Sequence, residues 1–330
     1  MARRSRRPVP GSTTPPTPGR RRGPAAAPAL PDGPVPIATG TARVEADPDA
    51  PRAVTLYVNG VPSSHLDLDD PGFLGFEYMQ QMAAVVDLLP AGPLRVLHLG
   101  AAGCSLARWV EHTRPGSAQV GVDLDARLLE LVREWFALPR SPRLRLRTGD
   151  ARAVLESFGD ASFDVVVRDV FAGDATPEHL TTAGTAAAVR RVLRPGGIYL
   201  VNCADRPPLG TVRRELATLA LVSADDRGGA STPYDARLAV LAEPGQLKGR
   251  RYGNLVLAAS RPGERAPDLA GPALARAARA LPQPASVLVG HDLAAFVGTA
   301  RPIDDPPAPA RPDDVPDPSH APSRTSSPPS

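Results

Sequence analysis

The sequence predicts an α/β protein: a doubly wound, mostly parallel seven-stranded sheet with a small N-terminal β-hairpin unit. Three observations carry this expectation. Five short, apolar, β-rich runs alternate with stretches of helical length between residues 94 and 222. The first run ends in a turn of small residues, as a strand does where the next helix N-terminus faces a ligand. Two more β-rich runs then follow with too little chain between them for a crossover helix, so they should pair antiparallel at one edge.

In chain order, Val54–Val58, Asn59-Gly60 and the run from Val61 form a hairpin signal, because Asn-Gly supplies the positive φ angles of a type I′ turn. Residues 73–89 have apolar positions near 3.6-residue spacing and end at Pro90 and Pro93, which predicts a helix. The five parallel strands are expected at 94–99, 118–123, 143–148, 163–169 and 197–203, with helices at about 104–113, 125–137, 151–158, 176–193 and 208–222 between and after them. The edge pair falls at 236–242 and 253–259, joined by a loop holding Pro244 and Gly245. A last helix at 269–280 and a segment at 286–299 should pack on the outside. Five parallel strands plus a terminal hairpin is the class I methyltransferase variant of the Rossmann-like fold rather than a six-stranded dinucleotide fold.

The ends differ in composition. Residues 1–36 and 302–330 each hold ten prolines, half of the 40 in the chain. So little large apolar surface cannot offset the entropy of ordering, and both ends read as disordered tails. The expected organisation is an Arg/Pro-rich tail at 1–44, a small β unit at 45–70, a nucleotide-binding catalytic domain at 71–300 and a Pro-rich tail at 301–330. The formal charge of +3 divides in the same way: seven arginines lie within Arg3–Arg22, and the remainder holds 31 basic against 35 acidic residues. A mildly acidic core argues against nucleic acid as its partner. No apolar run reaches membrane-span length and no apolar segment follows the N-terminal arginines, so a cytoplasmic location with no membrane partner is expected. Cys104 and Cys203 are in no metal-like spacing; both should be reduced, with no metal bound.

In an open α/β sheet, ligands bind at the carboxyl ends of the strands near the switch point. The first strand ends in Gly100, Ala101, Ala102 and Gly103, small enough for the backbone to approach a ligand. Asp123, with Leu124 beside it, lies where a carboxylate accepts both ribose hydroxyls; its alternative as a helix N-cap suits Asp125 better. Asp150 and Ala151 follow the third strand, where an acid can bind the adenine amine, or merely cap a helix. The fourth strand delivers Asp169, with Asp174 in the loop beyond it. A carboxylate here can stabilise a sulfonium cation or take a proton from an amine; the alternative for Asp169 is a loop anchor. His98 is expected to be a packed residue with one backbone hydrogen bond.

With these residues in place, the stretch from about 54 to 260 resembles the polyamine aminopropyltransferases, spermidine synthase and its relatives. The resemblance rests on the hairpin, the Gly75-Phe-Glu-Tyr-Met79 helix, Gly100–Ser105, Asp123, Gly149-Asp150-Ala151, and Asp169 with Asp174. It implies cofactor contacts from Gly100, Ala101, Ala102, Gly103, Asp123, Leu124, Asp150, Ala151 and Asp169. It also implies catalytic roles for Asp169, as the base that deprotonates the acceptor, and for Asp174. Glu77 and Tyr78 would meet the substrate, or be ordinary helix-surface and core residues. Two departures stand out. Where the family has an Asp in its first glycine loop to bind the aminopropyl amine, this sequence has Gly103; and Asp169 and Asp174 are five apart, unlike the family's Asp-Ser-Ser-Asp-Pro.

The implied activity is a transferase moving an aminopropyl group from decarboxylated S-adenosylmethionine to a small-molecule amine, in polyamine biosynthesis. The resemblance also implies a possible homodimer. The alternatives are an S-adenosylmethionine-dependent methyltransferase acting on a small molecule, and a non-catalytic binder of an adenosyl ligand. A hydride-transfer enzyme would leave Asp150 and Asp169 without roles.

Overall fold

The computed structural model describes residues 30–225, 234 and 236–306, so the arginine-rich stretch at 3–22 and the segment after 306 lie outside the described residues. A four-stranded antiparallel sheet comes first, ordered β1 (Val35–Ile37), β2 (Gly40–Ala46), β3 (Ala53–Val58) and β4 (Val61–Asp67). Asn59 and Gly60 turn between β3 and β4 with φ of 51° and 80°, the predicted hairpin. The unit therefore begins at Val35 rather than at residue 45, and holds four strands rather than two. The first two escape a sequence reading because Pro34 and Pro36 give them the composition of the tail. Asn59 joins the halves: its Oδ1 accepts the Thr41 N–H at 2.9 Å and its Nδ2 donates to the Thr39 carbonyl at 3.0 Å.

After α1 (Glu77–Val86) the alternation unfolds as β5 (Arg95–Leu99), α2 (Ser105–Thr113), β6 (Ala118–Asp123), α3 (Ala126–Trp135), β7 (Leu144–Thr148), α4 (Ala151–Glu156), β8 (Phe163–Arg168), α5 (Ala183–Val192), β9 (Leu193–Asp205) and α6 (Gly210–Ser223). A single 3₁₀ turn, Glu178–Leu180, precedes α5 where the sequence suggested continuous helix. The chain ends in β10 (Leu238–Ala242), α7 (Pro244–Leu247), β11 (Gly253–Ser260), α8 (Pro272–Ala280), β12 (Ser286–Val289) and α9 (Gly290–Val297).

The main sheet runs β12-β10-β11-β9-β8-β5-β6-β7, parallel from β9 to β7 and antiparallel from β9 to β12. The doubly wound class holds, with eight strands instead of seven. The extra one is β12, four half-buried residues paired to β10 with Val289 opposite Ala239; its brevity and the helix starting at Gly290 make it read as an outer segment. The sheet is covered on both faces, which accounts for the unbroken apolar runs. Val165, Val167, Ile198 and Leu200 pack with α1, while Val166, Tyr199 and Val201 face α5 and α6. The N-terminal sheet packs Val54, Leu56 and Leu66 against Ala101, Cys104 and α3, which lays it over the first strand's turn.

The described C-terminal segment is docked beyond the expected boundary at 301. The Ile303 carbonyl accepts from Ala183 at 2.7 Å, and Asp305 takes the Gly184 N–H at 2.7 Å while pairing with Arg152. No described helix is long and apolar enough to cross a membrane.

Candidate functional site

From β5 the chain winds outward to β6 and β7, and from β8 it winds the other way to β9, so the switch point lies between β5 and β8. A cavity of about 850 Å³ opens there at the carboxyl ends of the strands, with Val58, Val61 and Ser64 of the N-terminal sheet contributing to its wall.

Its floor is the turn after β5. Gly100 has φ +84°, and a Cβ there would lie 2.0 Å from the Asp169 carbonyl oxygen, so only glycine lets the ends of β5 and β8 meet this closely. Gly100, Ala101 and Ala102 line the cavity. Gly103 does not. Its N–H donates to Ser64 Oγ at 2.9 Å, and a Cβ on it would sit 2.6 Å from Ser64 Cβ. The place that the sequence assigned to a cofactor contact is closed by the N-terminal sheet.

At the end of β6, Asp123 accepts N–H groups from Ala102 at 3.3 Å and Asp125 at 3.0 Å, and burial holds its carboxyl above the usual carboxylate range. Asp125 is the N-cap of α3, accepting from Leu128, and its other oxygen takes both the N–H and hydroxyl of Thr39. Leu124, two-thirds exposed, lines the cavity beside them. At the end of β7, Asp150 takes the helix-capping part considered for it and also lines the cavity. One oxygen caps α4 through Ala153 N–H at 2.9 Å, and the other meets His179 Nε2 at 2.8 Å on the cavity wall, with Ala151 alongside. Burial raises the Asp150 carboxyl, but the Ala153 N–H and His179 outweigh it and leave it below the ordinary value.

Asp169 follows β8. Its Oδ2 accepts from the Tyr78 hydroxyl and its Oδ1 from Asn202 Nδ2, both at 2.9 Å. Burial raises its pKa against the opposing effect of those two donors and of Arg168. Burial and the nearby carboxylate push the Tyr78 hydroxyl well up, so Tyr78 is a donor over the working pH range. Asp174 lies apart from this cluster. It sits in the loop after Asp169, where Gly173 turns at φ +69°, and its three-quarters-exposed carboxylate pairs with Arg206 at 3.0 Å. Asp174 nonetheless lines the same cavity, and a pair this exposed is weak enough to leave its carboxylate within reach of a ligand there. Glu77, also expected at the substrate, is on the same helix as Tyr78 but outside the cavity lining. One residue along a helix turns the side chain by about 100°, so the two do not share a face.

His98 is packed, as expected, but its partner is a side chain: Nε2 pairs with Gln119 Oε1 at 2.9 Å, and Gln119 in turn donates to the Ala107 carbonyl. Burial lowers its pKa to about 4. Sequence reasoning missed Ser64, His179, Asn202, Tyr252 and Asn254, all on the cavity wall. An asparagine within the apolar run 197–203 was the one visible signal among them.

Residues 96–197 match the family model described as "Methyltransferase domain". A solved structure of a probable spermidine synthase from Corynebacterium glutamicum is 35% identical, with a TM-score of 0.74 over 86% of this chain and 99% of that one. A polyamine aminopropyltransferase of Chromobacterium violaceum is 28% identical over 158 residues, 46% of this chain and 57% of that protein. The human eEF1A lysine and N-terminal methyltransferase is also 28% identical, over 46% of this chain and 24% of its own length. The chain thus spans little more than half the length of the curated aminopropyltransferase it matches. By its identity to the Corynebacterium structure across nearly the whole of that protein, the chain belongs to the spermidine synthase-like (polyamine aminopropyltransferase) family, on the class I methyltransferase fold.

Proposed function

We propose that this chain is an aminopropyltransferase using decarboxylated S-adenosylmethionine and a small amine. The observation that carries the reading is the Asp169 carboxylate, set by Tyr78 and Asn202 at the end of β8 where the cavity crosses from β5 to β8. Asp123 at the end of β6 suits the ribose hydroxyls, and Asp150 with His179 at the end of β7 borders the adenine edge. The donor's sulfonium and ammonium then fall beside Asp169, and a negative wall favours a cationic tail over the carboxylate of S-adenosylmethionine.

In the reaction, Asp169 accepts a proton from the acceptor's ammonium. The freed nitrogen lone pair attacks the methylene bonded to sulfur. The new C–N bond forms as the C–S bond breaks, and its electron pair leaves on the sulfur of methylthioadenosine. Holding nitrogen, carbon and sulfur in line supplies most of the acceleration, and proton transfer adds about 10²–10⁴-fold. The methyltransferase reading keeps one specific support: the loop residue in the place of the family's donor-binding acid is Gly103.

Calorimetric titration with S-adenosylmethionine, its decarboxylated form, S-adenosylhomocysteine and methylthioadenosine tests the proposal. Preference for the decarboxylated donor and methylthioadenosine is expected. Preference for the carboxylate-bearing pair would establish a methyltransferase. Asp169→Asn should retain donor binding and lose about 10²–10⁴-fold in turnover; unchanged turnover would remove the general base.

A further inference from the structure

We infer that residues 303–305 are a strap that sets the adenine edge of the cavity, with Asp305 a positioning residue acting through Arg152 and His179. The inference rests on the adenosyl reading of the cavity and not on which group is transferred.

The edge in question is the pair of Asp150 with His179 Nε2 at 2.8 Å, both on the cavity wall. Asp150 is fixed as the N-cap of α4. His179 instead stands on the single 3₁₀ turn, whose hydrogen bonds are poorer than those of an α-helix, so its place depends on what holds the turn from behind. Its carbonyl accepts from Thr185 Oγ1 at 2.6 Å and from Arg152 Nη1 at 3.3 Å. The same Nη1 reaches Thr182 Oγ1 at 3.2 Å and pairs with Asp305. Arg152, Thr182 and Asp305 all lie outside the cavity lining.

Asp305 joins this outer layer together. Its Oδ1 accepts from Thr182 Oγ1 at 2.9 Å and its Oδ2 from the Gly184 N–H at 2.7 Å. A Cβ on Gly184 would overlap that oxygen, so the glycine makes room for the carboxylate. Ile303 pins the strap at its other end: its N–H donates to Thr218 Oγ1 on α6 at 2.9 Å, and its carbonyl takes the Ala183 N–H. Two N–H groups that the first turn of α5 leaves open are thus closed by residues about 120 positions later. Asp305 is about one-third exposed, so its pair with Arg152 adds little to global stability. Thr185 still holds the turn when the strap is lost, and His179 should shift off Asp150 without unfolding of α5. An adenine seated on Asp150 then favours the docked strap, and the docked strap favours adenine by the same factor.

Methylthioadenosine and S-adenosylhomocysteine are each titrated calorimetrically into the full chain, Asp305→Ala, His179→Ala and the double variant, at a temperature where circular dichroism shows all four folded. Asp305→Ala should weaken binding about fivefold, and should change it little once His179 is gone. In turnover the loss should fall on the donor KM with kcat unmoved. In the unaltered chain, bound nucleoside should slow amide hydrogen exchange at Ala183 and Gly184 about fivefold, the same factor read from the other end. Equal affinity of Asp305→Ala and the unaltered chain would overturn the inference, as would the same loss with and without His179. Exchange unmoved by either nucleoside, a fall in kcat at unchanged KM, or failure of both nucleosides to bind would overturn it too. Tighter binding of S-adenosylhomocysteine with the same coupling would overturn aminopropyl transfer and leave the strap standing.

Discussion

Ser64 Oγ, on the N-terminal sheet, accepts the Gly103 N–H at 2.9 Å and donates to the Ser63 carbonyl at 2.7 Å. A short strand residue and a glycine 39 positions later thus form one joint between the two sheets, buried on both sides. The joint accounts for the missing acid in the glycine turn, because the volume a side chain at 103 would need is filled by Ser64.

Gly103→Asp should therefore fail to restore an acidic donor contact. It should cost about 2 kcal/mol or more, through overpacking and an unpaired charge. Thermal unfolding of Gly103→Asp, alone and with Ser64→Gly, checks this; the second change should recover part of the loss. An added Asp that raised both stability and affinity for the decarboxylated donor would contradict the packing argument.

The Tyr78–Asp169 hydrogen bond favours the ionised carboxylate. Turnover should rise with pH as Asp169 ionises and then level. Its midpoint should lie above the ordinary carboxylate range, because burial raises this group. Tyr78→Phe removes a donor to the charged form, so the acid limb should move to higher pH. A kcat–pH profile unmoved by the substitution would show that another group governs the limb.

Arg168 and Glu215 form an ion pair with both side chains 1% exposed, and Arg168 also donates to the Leu180 carbonyl at 3.0 Å. Either partner left alone is an uncompensated buried charge. Arg168→Met or Glu215→Leu should each cost about 3–5 kcal/mol, and the double substitution much less than their sum. Urea unfolding of the four chains measures the coupling. Additive costs would mean that the pair contributes nothing beyond its packing.

His98 bears on stability at low pH. Its folded pKa of about 4 lies below the ordinary 6.5, so below pH 6.5 the unfolded chain binds a proton that the folded chain refuses. Stability from this group is complete above 6.5, falls as pH drops toward 4 and then levels, for a total of about 3 kcal/mol. His98→Gln should lack this step, which urea unfolding of both chains at pH 7 and pH 4.5 resolves. Equal losses in the two chains would place the acid sensitivity elsewhere.

Much of the sheet could be read from the chain because its signals are local. The β8 residues Val165–Val167 are apolar on both faces since helices cover both, and the small residues at 100–102 mark the turn whatever packs nearby. The carboxylates Asp123, Asp150 and Asp169 end successive strands, so alternation alone brings them to one edge.

Other features depended on partners far along the chain. β1 and β2 look like proline-rich tail until they pair with β3, and β12 is too short to be recognised without β10 beside it. The exposed pair of Asp174 with Arg206, 32 residues on, has no mark in the sequence, and Asp150 looks free until His179 arrives from the 3₁₀ turn. The sequence by itself determined the strand–helix alternation and the three acids at the strand ends, because periodicity and turn chemistry act over a few residues. Only the tertiary structure decided which groups the carboxylates pair with and where the N-terminal sheet closes the glycine turn, because those outcomes follow from contacts between residues 29 to 41 positions apart.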